Sequence, residues 1–146
     1  MLIFDKNMNQ MTPTENLHYA IGEIAYAIAK ADGNVQKEEK EKFHSIVAAE
    51  LRCKDYGFEI SDIIFQIMDK DKTSTKEAYD WGMKQIRTNS HYLSPALKST
   101  FIVVMEKVAK AYKPVTMDEI LLIEKFKTDI EPLRGDPIYY ETAVKK

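Results

Sequence analysis

The chain has 146 residues, enough for one domain with a real core, and its 45% hydrophobic and 30% charged residues are an ordinary globular balance. A net charge of -2 excludes a strongly basic nucleic-acid surface, and the single cysteine, Cys53, excludes an intrachain disulfide. No apolar run approaches the ~20 residues that span a bilayer. The opening Met1-Leu2-Ile3-Phe4-Asp5-Lys6 lacks the basic-then-apolar layout of a secretory leader, so the expected compartment is the cytoplasm, without direct membrane insertion.

Residues 1–12 hold three methionines and little periodicity, and are expected to be a flexible lead-in to a domain over 13–146. A first helix is expected from about Thr14, with Leu17, Ile21, Ile24, Ala25 and Ile28 recurring as one apolar stripe. Asp32-Gly33 ends it, since glycine takes the left-handed backbone that closes a helix. A second helix follows over about Gln36 to Cys53, with Glu38 and Glu39 in its first turn, where the helix dipole favours negative charge. Its expected buried side is Phe43, Ile46, Val47 and Leu51, and Tyr56-Gly57-Phe58 breaks it.

The third helix carries Ile60, Ile63, Ile64, Ile67 and Met68, expected on one buried face, and Asp69 to Lys72 form a polar loop. Ser74 and Glu77 have the spacing of a capping box and open a fourth helix through Ala78, Trp81 and Ile86, ending near Asn89-Ser90. Ser94-Pro95 reads as N-cap and first helical position of a fifth helix, with Leu97, Phe101, Val104, Met105, Val108 and Ala111 on one stripe before Pro114. Thr116 and Glu119 form a second capping-box pattern and open a sixth helix with Ile120, Ile123, Phe126 and Ile130. Beyond the Arg134-Gly135-Asp136-Pro137 turn, Ile138, Tyr139 and Tyr140 are expected to dock a short tail. With no strand-type alternation, the expected fold is an all-α, single-domain bundle of about six to seven helices.

A shift of 80 residues sets positions 28–39 against 108–119, with five of the twelve pairs identical and two more conservative. Both windows join two amphipathic segments and put an acidic pair at the start of the second, Glu38-Glu39 and Asp118-Glu119. The expectation is a duplicated helical hairpin. The first window also excludes a calcium EF-hand: with Gly33 at the sixth loop position, Ile28 and Lys30 fall where carboxylates or amides must stand.

Asp32-Gly33-Asn34-Val35 followed by Glu39-Lys40, together with the second, degenerate copy near Val108 to Glu119 and the Phe4-Asp5-Lys6 start, resembles the TerB-like family of tellurite-resistance proteins. The resemblance implies an all-helical domain, a metal- or envelope-stress setting, and cytoplasmic action beside membrane-anchored protein partners. It departs at Tyr112-Lys113-Pro114, which replace the second Asp-Gly, and at Gln36 and Lys37, which dilute the acidic run. The bland reading is that Asp32-Gly33 is only a helix stop and Glu38-Glu39 only a favourable helix start, and two functional readings stay open beside it. Asp32, Glu38 and Glu39 hold a hard divalent cation, Ca²⁺ or Mg²⁺, or the same acidic surface, with Asp118 and Glu119, binds protein without metal, as in a co-chaperone-like scaffolding domain.

Other candidates have bland readings. His18, His44 and His91 lie far apart, with no second ligand at zinc spacing. Trp81, with Tyr79 and Tyr92, could line a groove, but a helical bundle needs aromatic core and the core is the expected place. Lys70, Lys72, Lys76, Lys84 and Arg87 lack the aromatic interleaving of a nucleic-acid surface. No phosphate-cradling glycine loop and no Ser/His/Asp or Cys/His arrangement is present, so no enzyme is expected.

Overall fold

The computed structural model describes residues 12–31, 35, 37–51, 57–110 and 115–139, with main chain only for residues 39, 50, 51, 57 and 58. The described elements are α1 (Pro13–Lys30), α2 (Lys37–Leu51), α3 (Gly57–Lys70), α4 (Thr75–Thr88), a 3-10 turn (Ser90–Tyr92), α5 (Pro95–Ala109) and α6 (Met117–Ile130). The protein is an all-α bundle, with no strand among the described residues.

Side-chain caps fix where the helices begin. Ser94 accepts from the Leu97 N–H with Pro95 following it, and Thr116 and Glu119 complete a capping box in both directions. Ser74 accepts from the Glu77 N–H, but the Glu77 carboxylate takes the Ser74 hydroxyl rather than its backbone N–H, so that box is half formed. α1 begins at Pro13, one residue before the expected start, because Thr12 and Glu15 form a full capping box. α3 begins at Gly57, inside the stretch expected to separate it from α2.

The α3–α4 connection is not a loose polar loop. The Thr73 N–H bonds to the Met68 carbonyl and the Lys72 N–H to the Asp69 carbonyl, the paired bonds of a Schellman motif. Lys72 takes the left-handed position of that motif, at φ 55°. The Tyr26 hydroxyl donates to the Thr73 carbonyl at 2.6 Å, tying the turn to α1.

α1 is the central helix, with Leu17, Ile21, Ile24 and Ile28 wholly buried. It packs chiefly on α3 and α4, and then on α5, while α2 lies against α3 and α5. Two glycines set the close approaches. A Cβ on Gly22 would stand 2.5 Å from the Ser61 carbonyl oxygen of α3, and one on Gly82 of α4 would stand 2.6 Å from Cδ1 of Ile24. At the first crossing the Ser61 hydroxyl donates to the His18 carbonyl at 2.7 Å. Phe43 stacks on Phe65 at 4.5 Å, and Tyr26 meets Phe65 edge-on. The Tyr79 hydroxyl donates to Asp129 at 2.7 Å, joining α4 to α6, and Lys125 pairs with the same carboxylate.

The two windows of the internal similarity keep their register at one end: α2 starts at Lys37 and α6 at Met117, the 80-residue shift of the sequence. Their packing differs. α5 and α6 share an interface, whereas among the described residues α1 and α2 meet mainly through α3 and α5.

Candidate functional site

Asp32 and Gly33 lie outside the described residues, as does the Glu39 side chain. Glu38 is exposed near the start of α2. Among the described residues, no three His, Cys, Asp or Glu side chains gather in a way that could hold a metal ion. The second acidic pair divides. Asp118 is exposed and lines a shallow cavity with Ala31, Thr75, Leu121, Leu122 and Lys125. Glu119 is fully buried, and its carboxylate accepts from the Thr116 N–H at 2.9 Å, so it works as a helix cap and offers no surface to a partner.

The histidines have structural surroundings. His18 is buried, its Nδ1 2.9 Å from the Thr14 carbonyl and its ring edge-on to Phe101. His44 meets Asp62 at 2.7 Å, and His91 clusters with Tyr92 and Tyr139, meeting both rings edge-on. The tail docks through Tyr139 and through the Asp136 N–H, which bonds to the His91 carbonyl, while Ile138 is exposed. Lys76 pairs with Asp80 within α4.

The structure corrects the sequence on α3 and α4. Trp81 is 51% exposed rather than in the core, and Ile63 and Ile67 are 55% and 42% exposed rather than on the buried face. The buried side of α3 is Ser61, Ile64, Phe65 and Met68, a stripe at helical spacing that leaves Ile63 and Ile67 on its flank. Tyr79 and Met83, not Trp81, take α4 into the core.

Ile67 and Trp81 rim a groove between α3 and α4 whose floor is α1, while Ile63 lines a separate hollow with Lys40 of α2 and Gln66, Asp69 and Lys70 of α3. One stretch, a cavity of about 400 Å³, is lined by Tyr19 and Glu23 of α1, by Ile64, Ile67 and Met68 of α3, by Asp71 and Thr73 of the connecting turn, and by Trp81. The groove continues along α4 past Lys84, Gln85 and Thr88, with Tyr19, Glu23 and Trp81 common to both stretches.

Glu23 is the unusual member. It is 3% exposed, and its Oε1 is fully buried without a hydrogen-bond partner. Burial pushes its carboxyl up to about 8, so it holds its proton at neutral pH. Tyr19, four residues earlier on the same face, is raised by burial and then by the charge of Glu23. Sequence reading passed over Glu23. The available signal was its place between Gly22 and Ile24, inside a stretch rich in alanine and isoleucine.

Nothing matches the chain in comparisons with protein-family models, with curated proteins or with solved structures. No described helix is long and apolar enough to cross a membrane.

Proposed function

We propose that the chain is a non-enzymatic helical binding module, TerB-like in layout, that takes a segment of a partner protein into the groove between α3 and α4. The observation that carries this reading is the placement of Ile67 and Trp81 in water around a concavity. Single exposed apolar residues are ordinary, but two large ones lining one apolar groove mark a surface meant to be covered. Tryptophan is also among the residues that most often dominate binding energy. The fitting occupant is an amphipathic segment whose apolar side chains, at helical spacing, lie against Ile67 and Trp81. Its charges are set by Asp71 in one stretch of the groove and Lys84 in the other. The metal-stress setting and the membrane-anchored partner rest on the resemblance of the Asp32-Gly33 segment. A co-chaperone-like scaffold would use the same face with a different partner.

Trp81 is the only tryptophan, so its fluorescence reports occupancy of the groove directly. The test is selection of random peptides, about four helical turns long, on the full chain. Enriched peptides are expected to shift Trp81 emission to the blue and to bind at least about tenfold more weakly to Ile67→Asp, a loss near 1.4 kcal/mol. Failure of any peptide to enrich, or binding that leaves Trp81 emission and the Ile67→Asp affinity unchanged, overturns the reading.

A further inference from the structure

We infer that the partner segment is read through a basic side chain, a lysine ammonium or arginine guanidinium that enters the cavity lined by Tyr19 and Trp81 and pairs with the carboxylate of Glu23. The inference rests on the groove being the binding surface and adds what the groove selects.

Glu23 has no bonding role among the described residues. It caps no helix, pairs with no described cation and accepts no described hydrogen bond, yet it is 3% exposed in the middle of α1. A buried carboxyl without a partner costs free energy that a methionine or leucine at that position would not. A donor arriving from outside removes the cost, and a charged donor removes most of it, because charge-assisted hydrogen bonds are the strong ones.

The surroundings suit a cation. Tyr19 and Trp81 line the cavity, and aromatic rings attract ammonium and guanidinium groups. Ile64, Ile67 and Met68 accept the aliphatic stem of a lysine or arginine. The charged and titratable groups facing Glu23 are Tyr19 on its own helix, Asp71 from the turn and Lys84 from α4, while α3 contributes none. Asp71 adds negative charge in the stretch that α3 closes, and Lys84 lines the other stretch. A basic anchor is therefore drawn to the α3 side.

Entry of the cation also moves a proton. The empty groove keeps Glu23 protonated at neutral pH, and a paired ammonium favours its ionised form. Each binding event then releases a proton from the Glu23 carboxyl to the buffer.

The test uses peptides that have met the Trp81 and Ile67 criteria above. They are expected to share a lysine or arginine at one position, and replacing it by norleucine should weaken binding tenfold or more. Glu23→Gln should cause a similar loss for the basic peptide and almost none for the norleucine peptide. Titration calorimetry in two buffers of different ionisation heat should show proton release with the wild-type chain that disappears in Glu23→Gln. Peptides that fill the groove without a common basic residue, and that bind Glu23→Gln unchanged, overturn this inference while leaving the groove as the binding surface. If Glu23→Gln loses its helical spectrum, the norleucine comparison on the wild-type chain decides alone, equal affinity being the negative result. Equal binding of n-butylamine and the peptide overturns the assignment to a protein segment.

Discussion

At the scale of single residues, Glu23 couples the native state to pH. Its folded carboxyl titrates near 8, whereas an unfolded one titrates near 4.5. The native state therefore binds more protons through the interval between them. The stability linked to this group is fully present below about pH 4.5 and is lost as pH rises toward 8, by at most about 1.4 kcal/mol per pH unit. Glu23→Gln should flatten this decline, measured as urea unfolding free energy at pH 5 and at pH 8. Equal slopes in both proteins would mean that Glu23 is ionised in the native state. Asp129 behaves differently: burial alone would raise it, but the Tyr79 hydroxyl and Lys125 together bring it below the ordinary carboxyl range.

At the scale of elements, helix starts were legible because caps are local chemistry. Ser94-Pro95 and Thr116 with Glu119 act over three residues, and neighbouring helices do not change what they do. Helix faces were less legible. Ile60, Ile63, Ile64, Ile67 and Met68 are too many apolar residues for one contact, and the sequence does not say which lie outward. The choice is made by α1, where Gly22 draws Ser61 inward and so turns Ile63 and Ile67 toward water. Trp81 went the same way, since its α4 neighbours Ala78, Tyr79 and Met83 fill the core first.

The turn after α3 gives a sharper test. Lys72 holds a left-handed backbone that glycine adopts without a Cβ clash, so Lys72→Gly should stabilise the protein by about 0.5–1 kcal/mol in thermal or urea unfolding. A loss of stability would show that the lysine side chain contributes more than its backbone costs. For the turn after α1, the fate of Glu119 is informative. It stands at the third position of α6, as Glu39 does in α2, and is used up in a cap. We expect millimolar Ca²⁺ or Mg²⁺ to shift the melting temperature of the wild type and of Asp32→Asn/Glu39→Gln equally. A rise confined to the wild type would restore the cation reading of that turn.

At the scale of the whole molecule, two glycines decide how tightly the bundle closes, and they differ in what opposes them. Gly22 faces a backbone carbonyl that cannot move without shifting α3, whereas Gly82 faces the end of the Ile24 side chain, which can rotate. Gly22→Ala should therefore cost more than Gly82→Ala, roughly 2–4 against 1–2 kcal/mol by chemical unfolding. The reverse order would mean that α1 slides more easily against α3 than Ile24 repacks. The groove stands over the first of these crossings, so Gly22→Ala should also weaken peptide binding.

The central position of α1 has a consequence for how the protein is made. This helix leaves the ribosome before the other described helices, yet the surfaces that cover it belong to α3, α4 and α5. A nascent chain halted after α2 carries Leu17, Ile21, Ile24 and Ile28 without those surfaces, and such exposed apolar segments are what chaperones hold and aggregates recruit. Slower synthesis through α3 and α4 should therefore lower the share of the protein that reaches the native state, measured as soluble yield.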